Sequence, residues 1–251
     1  MDARVVGIAA FACFFGGAFL GMYLRNRLPG HHLSEDSRHL LQLGLGIIGT
    51  MAGLVLGLLV GSATANYNSQ RSELLDITSK VVLLDRMLAH YGPEAGAARG
   101  AIRVAVLQTL NKMWPEPGVS VPQLDPAAVR GEIVLDDLEN LPATNDRQKM
   151  LKPQAIGLAL NIAQTRWLMF EQTGSSISTA LLVLLIFWFT ITFIGFGIFS
   201  PLNATVAVAL GLAALAVSGA IFITLEMYTP FAGLVQIPST PLRQALAHLG
   251  R

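Results

Sequence analysis

The chain has few charged residues. Asp, Glu, Lys and Arg make up 13% of its 251 residues, whereas about 25% is usual in soluble domains. Hydrophobic residues make up 53%, and the formal net charge is +1. A balance this close to neutral excludes the strongly basic surface of a nucleic-acid-binding protein. The composition predicts an integral membrane protein that contacts the lipid bilayer and carries a modest soluble part.

Cysteine and catalytic motifs are equally scarce. The single cysteine, Cys13, excludes an intrachain disulfide. The sequence has no Walker loop, no dinucleotide fingerprint, no His-Glu-x-x-His and no Gly-x-Ser-x-Gly. His31 and His32 lack nearby Cys or His partners, and the acidic residues within 132–139 alternate with apolar ones, as on a solvated helix face. We therefore predict no enzymatic activity, no cofactor and no metal site.

Four long apolar runs are present, and each is long enough to cross a bilayer as a helix. They cover about 5–24, 40–65, 177–199 and 204–225. The first exceeds the apolar core of a signal peptide and has no small-residue cleavage site after it, so we interpret it as a retained transmembrane helix. The sequence thus predicts an all-α membrane protein, with transmembrane helices 1 and 2 within 1–65 and a transmembrane hairpin at 177–225.

The one sizeable polar region, residues 66–176, is predicted to be a helical soluble domain. Its apolar residues recur every three or four positions, without the alternation typical of strands. We expect the second transmembrane helix to continue to Tyr91, followed by helices at 94–114, 127–141 and 145–172, the last kinked or broken at Pro153. The residues predicted to face inward are Leu74, Ile77, Val81, Leu84, Leu88, Ile102, Val106, Leu110, Met113, Val129, Ile133 and Leu138, with Leu135 as a further candidate.

A tail, residues 226–251, follows the hairpin. Pro230, Phe231 and Gly233 mark a rigid break, and an extended stretch is expected at 234–237. A short last helix is predicted to have Thr240 as its N-cap and Pro241 as its first residue.

Small residues form a regular row on the second transmembrane helix. Gly49, Gly53, Gly57 and Gly61 recur every four residues, which places them on one slanted stripe of the helix. In lipid such a stripe lets another helix approach closely. The stripe has two possible partners, another helix of the same chain, which we favour from the pattern alone, or a second copy of the protein.

Polar residues inside the membrane segments are candidates for function. Thr50, Ser62 and Asn66 are the polar positions we would examine on the second span, and Glu226 ends the fourth span. Ionisable groups at membrane depth are costly and often functional. Glu226 is either such a group or a carboxylate hydrated at the headgroups.

The distribution of basic residues suggests an orientation. With four spans, both termini and the soluble domain share one side, which has fourteen Lys and Arg residues against three on the other. The excess predicts that this side is cytoplasmic, in a plasma (inner) membrane.

Three stretches resemble a family of bacterial membrane proteins described as bestrophin-like. They are residues 65–73 with 83–86, residues 201–203, and residues 225–226 followed by 230–233. The family often has a basic residue before its Pro-Phe pair, where this chain has Thr229. The more distant resemblance to true bestrophins implies four spans, a cytoplasmic helical domain, and pentamers around an anion pore whose neck comes from the second span.

The leading hypothesis is therefore a homo-oligomeric channel, a pentamer if truly bestrophin-like, with the second transmembrane helix near the pore axis. An uncharged helix could form a pore that gates by dewetting. The alternative is a membrane-anchored scaffold or sensor whose cytoplasmic helices bind a partner protein, which would account for the lack of a hydrophilic ion path.

Overall fold

The computed structural model describes residues 2–27, 35–115, 131–173, 177–201 and 203–250. All of their regular structure is helical, and no strand occurs within these ranges. The helices are α1 (Ala3–Arg27), α2 (Glu35–Tyr91), α3 (Gly96–Met113), α4 (Gly131–Glu139), α5 (Asp146–Thr173), α6 (Thr179–Phe199), α7 (Ala204–Met227) and α8 (Thr240–His248). A 3₁₀ turn, Pro93–Ala95, precedes α3.

Four of these helices are long and apolar enough to cross a membrane, namely α1, the part of α2 that begins at His39, α6 and α7. This confirms the predicted all-α class with four transmembrane helices. The chain divides into two compact units. The first contains residues 1–65 and 176–228, and the second contains residues 66–175 and 229–251. The tail after α7 is therefore part of the second unit.

In the first unit, α1 and α6 are packed almost backbone to backbone. A Cβ atom added to Gly21 would overlap the carbonyl oxygen of Ile194, and one added to Gly197 would overlap that of Ala18. Such close approach is what small residues permit between helices in lipid. Beside this crossing, the ring of Phe14 stacks on Phe193 with their centroids 5.5 Å apart.

The second unit has an apolar core formed by one face of each helix. The five apolar positions predicted on α2 after the membrane, and the four on α3, are all buried. At one end of this core, Asp85 is 1% exposed and accepts hydrogen bonds from Arg99 Nε at 2.8 Å and Nη2 at 3.0 Å. The bond to Asp85, with the attraction of its charge, raises the pKa of the Arg99 guanidinium although burial opposes the rise.

Several local predictions need correction. On α4 the inward residues are Val134 and Leu138, whereas Ile133 is 42% exposed; the predicted Val129 lies outside the described residues. Helix α5 runs through Pro153 without interruption, so the break is wrong. Residues 234–235 form bends rather than an extended stretch. The cap of α8 is Ser239, one residue before the predicted Thr240.

The Pro-Phe-x-Gly motif shapes the start of the tail. Phe231 is buried, and its ring lies edge-on to Trp114 at 5.6 Å. The carbonyl of Pro230 accepts a hydrogen bond from the backbone N–H of Ile237 at 2.7 Å, which closes the loop. Gly233 has φ 82°, a conformation that residues with a Cβ rarely adopt. The motif therefore turns the chain back into the second unit after α7.

Candidate functional site

The membrane segment of α2 is far less buried by its own chain than the other three spans. In the most apolar window of each span, 6% of the α2 residues are buried, compared with 39% for α1, 39% for α6 and 17% for α7. Its contacts with the rest of the first unit lie along one part of the helix. Leu45 lies against Gly195, Ala52 is fully buried, and Val55, Leu56 and Leu59 pack against the apolar cluster of the first unit. Most of this helix thus presents its side chains outward.

The glycine stripe lies mainly on this outward part. Gly49 faces the methyl group of Thr192, which would lie 3.7 Å from an added Cβ atom. Gly53, Gly57 and Gly61 have no neighbouring heavy atom within 4 Å of an added Cβ among the residues that the structure describes. Packing among the described residues therefore does not account for these three glycines.

The polar candidates on α2 fall on different sides of the helix. At about 100° per residue, Thr50 lies within about 20° of Gly57 and Gly61, whereas Asn66 lies about 160° from Thr50. Thr50 is exposed and donates its hydroxyl hydrogen bond to the carbonyl of Ile47 at 2.8 Å. Thr50 therefore shares the face of the glycine stripe, while the half-buried Asn66 does not.

A second group of candidates meets at the end of α7. The hydroxyl of Tyr228 donates to Ser62 Oγ at 3.3 Å. One residue earlier, the sulfur of Met227 lies 3.9 Å from Thr64 Oγ1. Glu226, in the last turn of α7, is 4% exposed. The structure thus brings Ser62 into contact with Tyr228, two residues after Glu226, and Ser62 lies twelve residues along α2 from Thr50.

Sequence reasoning missed two features that the structure displays. Gly17 and Gly21 on α1 are also four residues apart, and this spacing could have identified the α1–α6 crossing. Gln70 is fully buried, and neither atom of its side-chain amide has a hydrogen-bond partner among the residues that the structure describes. Nothing in the sequence pattern distinguishes Gln70 from the other polar residues that follow the second span.

Few of the described side chains are arranged so that they could bind a metal ion. Among the described residues, no group of three or more His, Cys, Asp or Glu side chains is close enough to hold a metal ion. His31 and His32 lie outside the described residues. On α4, Asp136 and Glu139 are exposed beside the buried Leu138, in the arrangement of a solvated helix face.

A family model described as the bestrophin-like domain matches residues 12–242. The chain belongs to the bestrophin-like family. The match begins within α1 and covers the other three transmembrane helices and the second unit as far as Leu242 in α8. No curated protein and no solved structure gave a match. The family and the four apolar helices together make this a bestrophin-like membrane protein in contact with lipid.

Proposed function

We propose that this bestrophin-like protein is a homo-oligomeric membrane channel that conducts anions, with α2 of each protomer near the pore axis. The main observation in support is the exposed face of the α2 span. This span is uncharged and apolar, and three of its glycines have no neighbour within the described chain. Lipid offers little hydrophobic drive for helix association, so small residues are retained there mainly for close packing. A second copy of α2 is the partner that this face fits.

This arrangement suggests roles for the polar residues of the membrane segments. Thr50 lies on the glycine face and is the polar side chain most suited to line the axis. Ser62 and Glu226 belong to the end of the first unit that we place toward the cytoplasm, where Glu226 would influence which ions approach. We place this end, the helical second unit and both termini in the cytoplasm, and the protein in the plasma (inner) membrane. We assign no enzymatic activity to it.

Particle mass is the first test of the proposal. Native mass spectrometry of the full chain in a gentle detergent should show a closed ring, with five copies expected if the assembly follows true bestrophins. A monomer or a dimer would remove the geometry for an axial pore and would contradict the proposal.

Ion flux through matched glycine variants tests the position of α2. Gly57→Leu should reduce chloride flux into liposomes because it fills the glycine face. Gly44→Leu is the control, since Gly44 is on the same helix, also has no atom within 4 Å of an added Cβ, and lies about 140° from Gly57. It should conduct normally. Wild-type single-channel behaviour of both Gly57→Leu and Asn66→Ala would count against a pore formed by α2.

A membrane-anchored scaffold or sensor is the second candidate. The observation in its favour is the exposed apolar surface of α5, where Trp167 is 50% exposed and Leu168 is 58% exposed. Apolar patches on a soluble surface commonly mark contacts with other proteins. A partner that copurifies in stoichiometric amount and is lost in Trp167→Ser, together with no flux in liposomes, would favour this function over the channel.

A further inference from the structure

The second unit contains a cavity of about 110 Å³ that is lined by residues of α2, α3, α4, α5 and α8. Most of the lining residues are aliphatic, and Leu84 of α2, Ile102 of α3 and Leu242 of α8 are typical. All three belong to the buried core of the unit. Protein interiors are normally packed as densely as organic crystals, so a space of this size can hold a small molecule that the chain itself does not supply.

The few polar side chains at the cavity already have interactions of their own. Thr109 donates its hydroxyl hydrogen bond to the carbonyl of Ala105 within α3 at 2.9 Å. Lys112 and Arg166 also line the cavity, and each of them has an interaction partner in the structure. A ligand therefore needs no charge of its own, and a charged group would lose its hydration on entering the aliphatic part of the cavity. The cavity favours an uncharged, apolar ligand.

We propose that this cavity is a binding site for a small uncharged hydrocarbon of about four or five carbon atoms. An apolar cavity of about 150 Å³ that is lined by Leu, Ile and Phe stays free of water and binds benzene or xenon. Scaled by volume to 110 Å³, the six carbons of benzene become about four or five. Burial of the apolar surface of the ligand supplies the driving force. The site lies within the second unit and is independent of ion conduction.

Two methionines of the cavity suit such a ligand. Met113 of α3 and Met169 of α5 both line the cavity and are buried. The unbranched methionine side chain has three rotatable bonds and adapts to gaps of irregular shape. Both side chains can therefore adjust to a bound hydrocarbon, and their methyl groups report its presence directly.

Methionine signals therefore provide the test. The full chain, labelled with ¹³C at its methionine methyl groups and placed in lipid nanodiscs, is titrated with cyclopentane and followed by NMR. The signals of Met113 and Met169 should shift and then saturate. Because cyclopentane also dissolves in lipid, Met51, which is 48% exposed on the membrane segment of α2, is the control for partitioning, and any shift of its signal should rise in proportion to concentration.

Variants and charged analogues test the roles of space and charge separately. Ala163 lines the cavity, so Ala163→Leu should fill it and abolish the saturable shift of Met113. Ala159→Val, at another lining position, is the second variant if Ala163→Leu does not fold. Ala97→Leu is the control, because Ala97 is exposed on α3 and lies outside the cavity lining. Pentanoate and pentylammonium should bind at least about tenfold more weakly than cyclopentane, since each must bury a charge.

Three results would overturn the proposal. The first is the absence of a saturable shift at Met113 and Met169 with cyclopentane in the wild-type protein. The second is an affinity for pentanoate or pentylammonium that equals the affinity for cyclopentane. The third is a folded cavity-filling variant that binds cyclopentane as tightly as Ala97→Leu does. Since the readout is a chemical shift rather than flux, a silent channel would not affect the result.

Discussion

Replacing Gly21 by alanine should destabilise the first unit, because the added methyl group has no space. It would overlap the carbonyl oxygen of Ile194 and lie 2.9 Å from the backbone nitrogen of Ile198, well inside the roughly 3.5 Å of a good carbon contact. These atoms belong to the backbone, so a rotamer change cannot relieve the overlap. Helices α1 and α6 must separate, and the stacking of Phe14 on Phe193 would be weakened.

The expected cost of Gly21→Ala is about 1–3 kcal/mol, the usual range for overpacking, and we place it in the upper half because the helices themselves must move. The assay is reversible unfolding in mixed micelles with increasing SDS, followed by circular dichroism. Gly16→Ala is the matched control on the same helix, since an added Cβ there has no atom within 4 Å, and its stability should be unchanged.

A second variant sharpens the test. Gly197 faces the same crossing from α6, so Gly197→Ala should cost a similar amount. The double variant should cost less than the sum, because neighbouring sites that relax together are not additive. If Gly21→Ala unfolds at the same SDS fraction as Gly16→Ala, or if the two costs add fully, the close approach of α1 and α6 is not what stabilises this unit.

Two further predictions concern the second unit. Gln70→Met should raise the free energy of unfolding by about 1–3 kcal/mol, since it removes a buried amide that has no hydrogen-bond partner in the described part of the chain. A loss of stability in denaturant titration would instead assign Gln70 a structural partner. Burial, followed by the nearby charge of Glu94, raises the pKa of Tyr91 from 10.0. The folded state therefore holds the phenol proton more tightly than the unfolded chain. The contribution of Tyr91 to the free energy of unfolding is full below pH 10 and is lost as the pH rises through the raised pKa. Tyr91→Phe should reduce the fall in the free energy of unfolding above that pH, and an unchanged slope of this free energy against pH would refute the assignment.

The sequence predicts the helices of this protein well because their apolar positions follow the helical period over long stretches. The apolar residues of α2 from Leu74 to Leu88 recur over four turns, so one misassigned position would not change the buried face. On α4, which has only nine residues, Ile133 and Val134 are adjacent and equally apolar. The choice between them depends on where the other helices of the second unit lie, which the helical period does not specify.

The glycines show more clearly that a sequence pattern does not specify which helix packs against it. Gly21 on α1 and Gly57 on α2 both belong to rows with four-residue spacing, and the sequence alone makes the α2 row the more prominent. In the structure, Gly21 lies at a tight helix crossing, whereas Gly57 has no neighbour within the described chain. Spacing indicates that a helix can be approached closely, but the identity of the approaching helix is a property of the tertiary or quaternary arrangement. The pore candidates Thr50 and Asn66 remain predictions for the same reason.

The second unit consists of two separate stretches of chain, so its parts are synthesised at different times. The backbone N–H of Gly250 donates to Asp85, a residue 165 positions earlier, at 3.3 Å, and Arg103 donates to the carbonyl of Leu249. Between the two stretches of this unit, the ribosome must synthesise α6 and α7 and the translocon must insert them. At roughly 5–20 residues per second, the interval from residue 175 to residue 250 lasts about 4 to 15 seconds. During that interval the residues of the second unit that come before α6 lack α8, so the contacts of Gly250 and Leu249 with Asp85 and Arg103 form only after α6 and α7 have been synthesised.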